Sequence, residues 1–144
     1  MPILNYTTKI DYYKTISTIQ EILARNGCKK VAIDNNDNRI PVALTFVISW
    51  NNQDVAFFLP CKFDGVLKAM KKNKKIPKSF LTEEQAVRVG WRIILNWVEA
   101  QMAIVEAEAA TLPEVFLPYA VTKDGGTMYQ LLSKESGKSL LLLN

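Results

Sequence analysis

From Ile40 onward the chain alternates. Val42, Leu44, Phe46, Ile48 and Trp50 fall on one side, and Ala43, Thr45, Val47 and Ser49 on the other. A period of two is that of a strand with one face on a core. Pro41 stands near its beginning, a position where a proline is tolerated. Asn51-Asn52-Gln53-Asp54 predicts a hairpin turn. Val55 to Pro60 then predicts a returning strand, with Val55, Phe57 and Leu59 on one face and Phe58 on the other. Upstream, Lys30 to Ile33 predicts a short strand with Val31 and Ile33 facing one way, and the polar run 34–39 a turn. Three strands with short polar connections make an antiparallel meander.

Elsewhere the period lengthens to that of a helix. Tyr12, Ile16, Ile19, Ile22 and Leu23 share a face, with Asp11 or Thr15 available as N-cap and Gly27 for a left-handed C-cap. Phe63, Val66, Leu67 and Met70 predict a short helix after Pro60, running into a basic linker that Pro77 ends. The longest helical pattern begins at Thr82-Glu83-Glu84-Gln85, a capping box with Thr82 as N-cap and Gln85 as its partner. Within it Gln85, Arg88, Arg92, Asn96, Glu99, Ala103 and Glu106 form a narrow polar stripe. Val87, Trp91, Ile94, Val98, Met102 and Val105 make one apolar flank; Ala86, Val89, Ile93, Trp97, Ala100 and Ile104 make the other. A helix apolar around most of its girth is expected to pack on a sheet, with other elements or a second copy of the chain covering the rest. Gly90 beside Trp91 suggests a close approach by another backbone. Thr111 and Glu114 form a second capping box, Lys123–Gly126 a turn, and Thr127–Ser133 a last short helix. The opening residues 3–10 read as a short strand or an extended arm, and the last six, SLLLLN, as an edge strand or a partner-binding tail.

The fold class that follows is α+β: an antiparallel meander of three to four strands, a long C-terminal helix packed on one face, and short flanking helices. The 144 residues fit one domain, 1–144, with the basic helix end and linker at 62–81 inside it.

Composition narrows the chemistry. There is no histidine, which removes Ser-His-Asp and Cys-His catalysis and every His-containing zinc site. The two cysteines, Cys28 and Cys61, cannot close a structural zinc site by themselves and read as reduced and semi-buried. Asp34, Asn36 and Asn38 resemble the opening of a calcium loop, but Arg39 stands where the glycine belongs. No nucleotide-binding glycine motif is present. A non-enzymatic protein without cofactor or metal is therefore expected. No apolar run reaches the roughly 18 residues of a membrane span, and the first residues lack the pattern of a signal peptide. A cytoplasmic setting without membrane contact is expected.

Charge is local. Lys62 to Lys78 holds seven lysines against one acid, Asp64, a net of +6 in a chain whose total is +4, so the remainder carries −2. Lysines neutralise phosphates, and an exposed aromatic stacks on bases, so the candidate nucleic-acid contacts are Lys68, Lys71, Lys72, Lys74, Lys75 and Lys78, with Phe58. Against this stands a plain solvated lysine-rich helix end over an aromatic core that includes Trp50 and Phe57. Arg88 and Arg92, one turn apart, would share an anion, or else face solvent with Glu83, Glu84 or Glu99 as countercharge. The run 112–119 either presents Phe116 and Tyr119 to a partner or folds back on the sheet.

The segments NYTTKI (5–10), GWRIILNWVEAQ (90–101) and LPEVFLPYAV (112–121) together resemble a family of small phage and prophage proteins. The resemblance spans nearly the whole chain. It implies a mobile-element setting and transfers no site. Three readings of function are expected. The first is a single-stranded nucleic-acid-binding protein using Lys68–Lys78 with Arg88 and Arg92. The second is a protein-interaction module that inhibits a host defence complex, and the third a structural phage component that oligomerises through the apolar helix flanks.

Overall fold

The computed structural model describes residues 2–134 together with Gly137, Leu140 and Leu141. The order of elements is α1 (Tyr12–Arg25), β1 (Lys29–Asn35), β2 (Pro41–Trp50), β3 (Gln53–Pro60), α2 (Phe63–Lys72), α3 (Glu83–Glu106), α4 (Leu112–Phe116) and α5 (Met128–Ser133), with 3₁₀ turns at Lys78–Phe80 and Leu117–Tyr119. The class is α+β, as the pattern predicts. The longest helix is central in the chain rather than C-terminal: α4 and α5 follow it. Its apolar period stops at Glu106, and Thr111 caps a new helix through a complete capping box with Glu114.

The sheet is antiparallel in the order β1-β2-β3. Its β2–β3 turn needs left-handed backbone at two positions, and Asn51 (φ 54°) and Asn52 (φ 64°) supply it. Asparagine tolerates that region better than most residues, and it gives the two-residue turn that suits a twisted hairpin. Beside the turn, Asp54 accepts from the Ser49 hydroxyl at 2.9 Å and pairs with Lys29 at 3.4 Å. The Ser49 bond, and after it the Lys29 charge, hold the Asp54 carboxyl below its ordinary range. Strand β1 is kinked between Lys29 and Ala32, where Lys30 takes φ 51°. A short third pairing covers part of the β3 edge: Ala120 bridges Phe57, and the Val121 amide donates to the Ala56 carbonyl at 2.8 Å.

One face of the sheet is the core face. Leu44, Phe46, Ile48, Phe57 and Leu59 are buried on it. The alternation fails at Trp50, which is 37% exposed where β2 ends at the hairpin. The core face is roofed by α3. The Trp91 indole, fully buried, donates to the Pro41 carbonyl at 3.1 Å, and an edge-to-face chain runs from Phe46 through Phe116 to Trp97. Phe116 therefore folds back into the core rather than facing a partner.

Helices α1 and α2 flank α3 and supply the cover its girth requires. Helix α1 buries Ile16, Ile19, Ile22 and Leu23 and ends in a Schellman motif, with Gly27 at φ 98° and the Cys28 amide reaching the Leu23 carbonyl. At Gly90 the close neighbour is not backbone: the Cys61 Sγ and a Val66 methyl fill the space a side chain would need. The C-terminal half of α3 is less enclosed, and Ala100 and Ile104 are exposed.

The opening residues form neither a strand nor an extended segment: residues 4–7 make a turn, with Asn5 at φ 65° and the Thr8 amide donating to the Asn5 carbonyl at 3.0 Å, inside an arm. The polar stripe of α3 is the track on which this arm lies. Gln85 is buried, and its Nε2 donates to the carbonyls of Tyr6 and Thr8, each at 2.9 Å. Asn5 donates to Asn96 at 2.6 Å, and the Tyr6 ring meets Phe80 edge-on. The N-terminal box of α3 is thus only half formed: Thr82 accepts from the Gln85 amide, but the Gln85 side chain turns away to the arm. The expectation for the final six residues lies largely outside the described part, where only Leu140 and Leu141, both exposed, are placed.

Candidate nucleic-acid interface

Helix α2 is amphipathic. Phe63 and Met70 are buried and Val66 and Leu67 half-buried, so this face packs on α3 and Cys61. At 100° per residue Lys68 and Lys72 fall on the opposite face and Lys71 on its flank, and all three are exposed. The turn that follows is pinned by one apolar residue. Ile76 is buried at 4% exposure, and Asn73 accepts from the Lys75 amide at 2.9 Å. With that peg inward, Lys74, Lys75 and Lys78 are left outward and exposed. Among the described residues no carboxylate lies within ion-pair distance of any of these six lysines; the two recorded pairs are Lys29–Asp54 and Arg88–Glu84. The six form one uncompensated basic ridge.

The other predicted residues do not join that ridge on equal terms. Arg88 is committed locally: it donates to Glu84 at 2.7 Å and to Gln85 at 2.9 Å. Of the three acids expected as countercharge in the solvent-facing alternative, Glu83, Glu84 and Glu99, it is Glu84 that pairs with Arg88. Arg92 is half-buried on the same stripe, between Gln85 and Asn96, the two residues that bond the arm. Phe58 is on the outer face of β3, opposite the core face and α3, and is 37% exposed.

Around Phe58 lies a feature that local sequence patterns did not assemble. Residues 118–130 fold over the outer face of the sheet, held by the Val121–Ala56 bond, a Val121–Thr127 bridge and a turn at Gly125 (φ 89°). Between them and the strands is an open groove of about 630 Å³, lined by Phe58, Pro60, Lys62, Tyr119, Tyr129 and neighbouring residues. Tyr129 is 67% exposed. Tyr119 is braced edge-on by Trp97 at 5.8 Å. Tyr119 was visible in the sequence as an aromatic beside Pro118, but its place in one groove with Phe58 depends on the chain's return to the β3 edge.

Both cysteines are buried, and burial pushes their thiols up to about 12. Neither is a thiolate at neutral pH, so neither is poised as a nucleophile or metal ligand. Among the described residues no group of three Asp, Glu, Cys or His side chains is placed to hold a metal ion, and no helix is long and apolar enough to cross a membrane.

The chain matches no protein-family model, no curated protein and no solved structure.

Proposed function

We propose that the protein binds single-stranded nucleic acid as a non-catalytic partner, contacting phosphates through Lys68, Lys71, Lys72, Lys74, Lys75 and Lys78. The observation that carries this is the ridge itself: six exposed lysines on the outer side of α2 and its following turn, none matched by a carboxylate among the described residues. Like charges held this close repel one another, and a polyanion relieves the repulsion while releasing its own counterions. Arg88 is outside the contact set, because Glu84 already neutralises it. A mobile-element context, which the resemblance of three segments to small phage and prophage proteins implies, is part of this proposal.

The test is fluorescence anisotropy of a labelled 15-nucleotide oligo(dT) across a salt series. The native chain is expected to bind with a steep inverse dependence on salt. Reversing Lys71, Lys72, Lys74 and Lys75 to Glu should weaken binding at least tenfold and lower the logarithmic salt slope by roughly 3, at about 0.7 per phosphate contact on a single strand. Arg88→Ala should leave both unchanged. Binding that is insensitive to salt or to the lysine reversals would exclude the proposal.

A protein-interaction role has its own supporting observation in the exposed Ile104 and Leu117, at 42% and 36%. An apolar interface of that kind would hold at high salt, which separates it from phosphate binding.

A further inference from the structure

We propose that the groove over the outer face of the sheet receives an unstacked base of the bound strand; this rests on the nucleic-acid reading above and gives it a basis for single-strand selectivity. Four observations converge on a nucleotide as the occupant. The volume, about 630 Å³, is within the range of small-molecule clefts. Its aromatic walls have faces to offer: among the described residues neither Phe58 nor Tyr129 is paired with another ring, and Tyr119 is held firm by Trp97. Base–aromatic stacking needs such free π-faces.

The third observation is charge. Among the described residues, Lys62 is the only charged side chain in the lining, and no carboxylate lines the groove. A flat apolar ring bearing an anionic tail complements those walls; an uncharged peptide segment leaves the lysine without a role. The fourth is continuity. Lys62 is the N-cap of α2, so the groove adjoins the end from which the ridge departs. From Lys62 to Lys72 the helix advances about 15 Å, so a strand with one base in the groove runs its following phosphates along the lysines. A duplex keeps its bases stacked and paired, and has no free ring to insert.

The experiment compares three labelled ligands at one salt concentration: oligo(dT) of 15 nucleotides, an abasic deoxyribose-phosphate strand of the same length, and a 15-base-pair duplex. The proteins are the native chain, the double variant Phe58→Leu/Tyr129→Ala, and the lysine reversal. Both aromatics are substantially exposed, and circular dichroism checks that the double variant keeps its fold. The double variant should lose about tenfold in affinity for oligo(dT), the worth of roughly one stacked base, with abasic-strand and duplex affinities and the salt slope unchanged. The lysine reversal should weaken all three ligands. If the double variant binds oligo(dT) like the native chain, or loses the abasic strand equally, the groove holds no base while the lysine ridge stands. If the native chain binds none of the three, both proposals fall together.

Discussion

Gly90 of α3 and Cys61, just beyond β3, touch so closely that a Cβ on Gly90 would stand 2.8 Å from the Cys61 Sγ. Neither partner has room to retreat. Cys61 is 4% exposed, its amide is tied to the Val42 carbonyl at 2.7 Å, and a Val66 methyl is 3.6 Å from the same Cβ position. The contact seats α3 against the start of α2, and it accounts for a glycine in a helix interior that otherwise costs about 1 kcal/mol.

Gly90→Ala sets two effects against each other. Helix propensity favours alanine by about 1 kcal/mol, while overpacking a closed core site costs about 1–3 kcal/mol. Overpacking is expected to win because the sulfur is hemmed in, giving a net loss of about 1 kcal/mol in urea unfolding. Combining Gly90→Ala with Cys61→Ala removes the obstructing atom, so the pair should be more stable than the two separate losses predict. Additive losses would show that the two residues do not compete for this space.

The buried thiols make a second prediction. With thiols at about 12 in the fold and near the ordinary 8.5 when unfolded, Cys28 and Cys61 stay protonated in the native protein at pH 8. Ellman's reagent should therefore detect almost no thiol until denaturant is added, and then two. The pH dependence follows from the same direction of shift. Below about pH 8.5 both states hold the protons and the contribution is fully present; between there and about 12 the unfolded state releases protons that the native state keeps, so stability falls as pH rises. Rapid labelling of the native chain would contradict the burial of both groups.

Gln85 should control the N-terminal arm. Its amide is the donor to two arm carbonyls, and Arg88 takes its oxygen. Gln85→Ala removes those bonds, each worth about 0.5–1.5 kcal/mol. Gln85→Glu is expected to be worse, because a carboxylate would face two carbonyl oxygens with no proton to offer. Tryptic cleavage after Lys9 should quicken in both variants, more so in Gln85→Glu, while circular dichroism changes little. Unchanged cleavage would mean that Asn5–Asn96 and Tyr6–Phe80 hold the arm without Gln85.

Local physical signals made much of the fold legible. The period-two run from Val42 to Ile48, the paired asparagines of the hairpin and the caps at Gly27 and Thr111 each act within a few residues, so their outcome is written in neighbouring letters. The lysine ridge was legible for the same reason, since Phe63, Met70 and Ile76 define an inward side and leave the lysines outside. The stripe on α3 was visible as a pattern but not in its role. Whether Gln85 faces water or the Tyr6 and Thr8 carbonyls depends on an arm 77 or more residues away in sequence.

The sequence by itself determined the elements, the α+β class and the basic face of α2, because periodicity, capping and local charge are properties of adjacent residues. Only the tertiary structure decided that Arg88 is spent on Glu84 and Gln85, that Gly90 is paired with a sulfur, and that Phe58, Tyr119, Tyr129 and Lys62 line one groove. Those outcomes depend on where distant segments meet. Such meetings are set by how the apolar faces of α1, α2, α3 and the sheet close on one another, which no window along the chain contains.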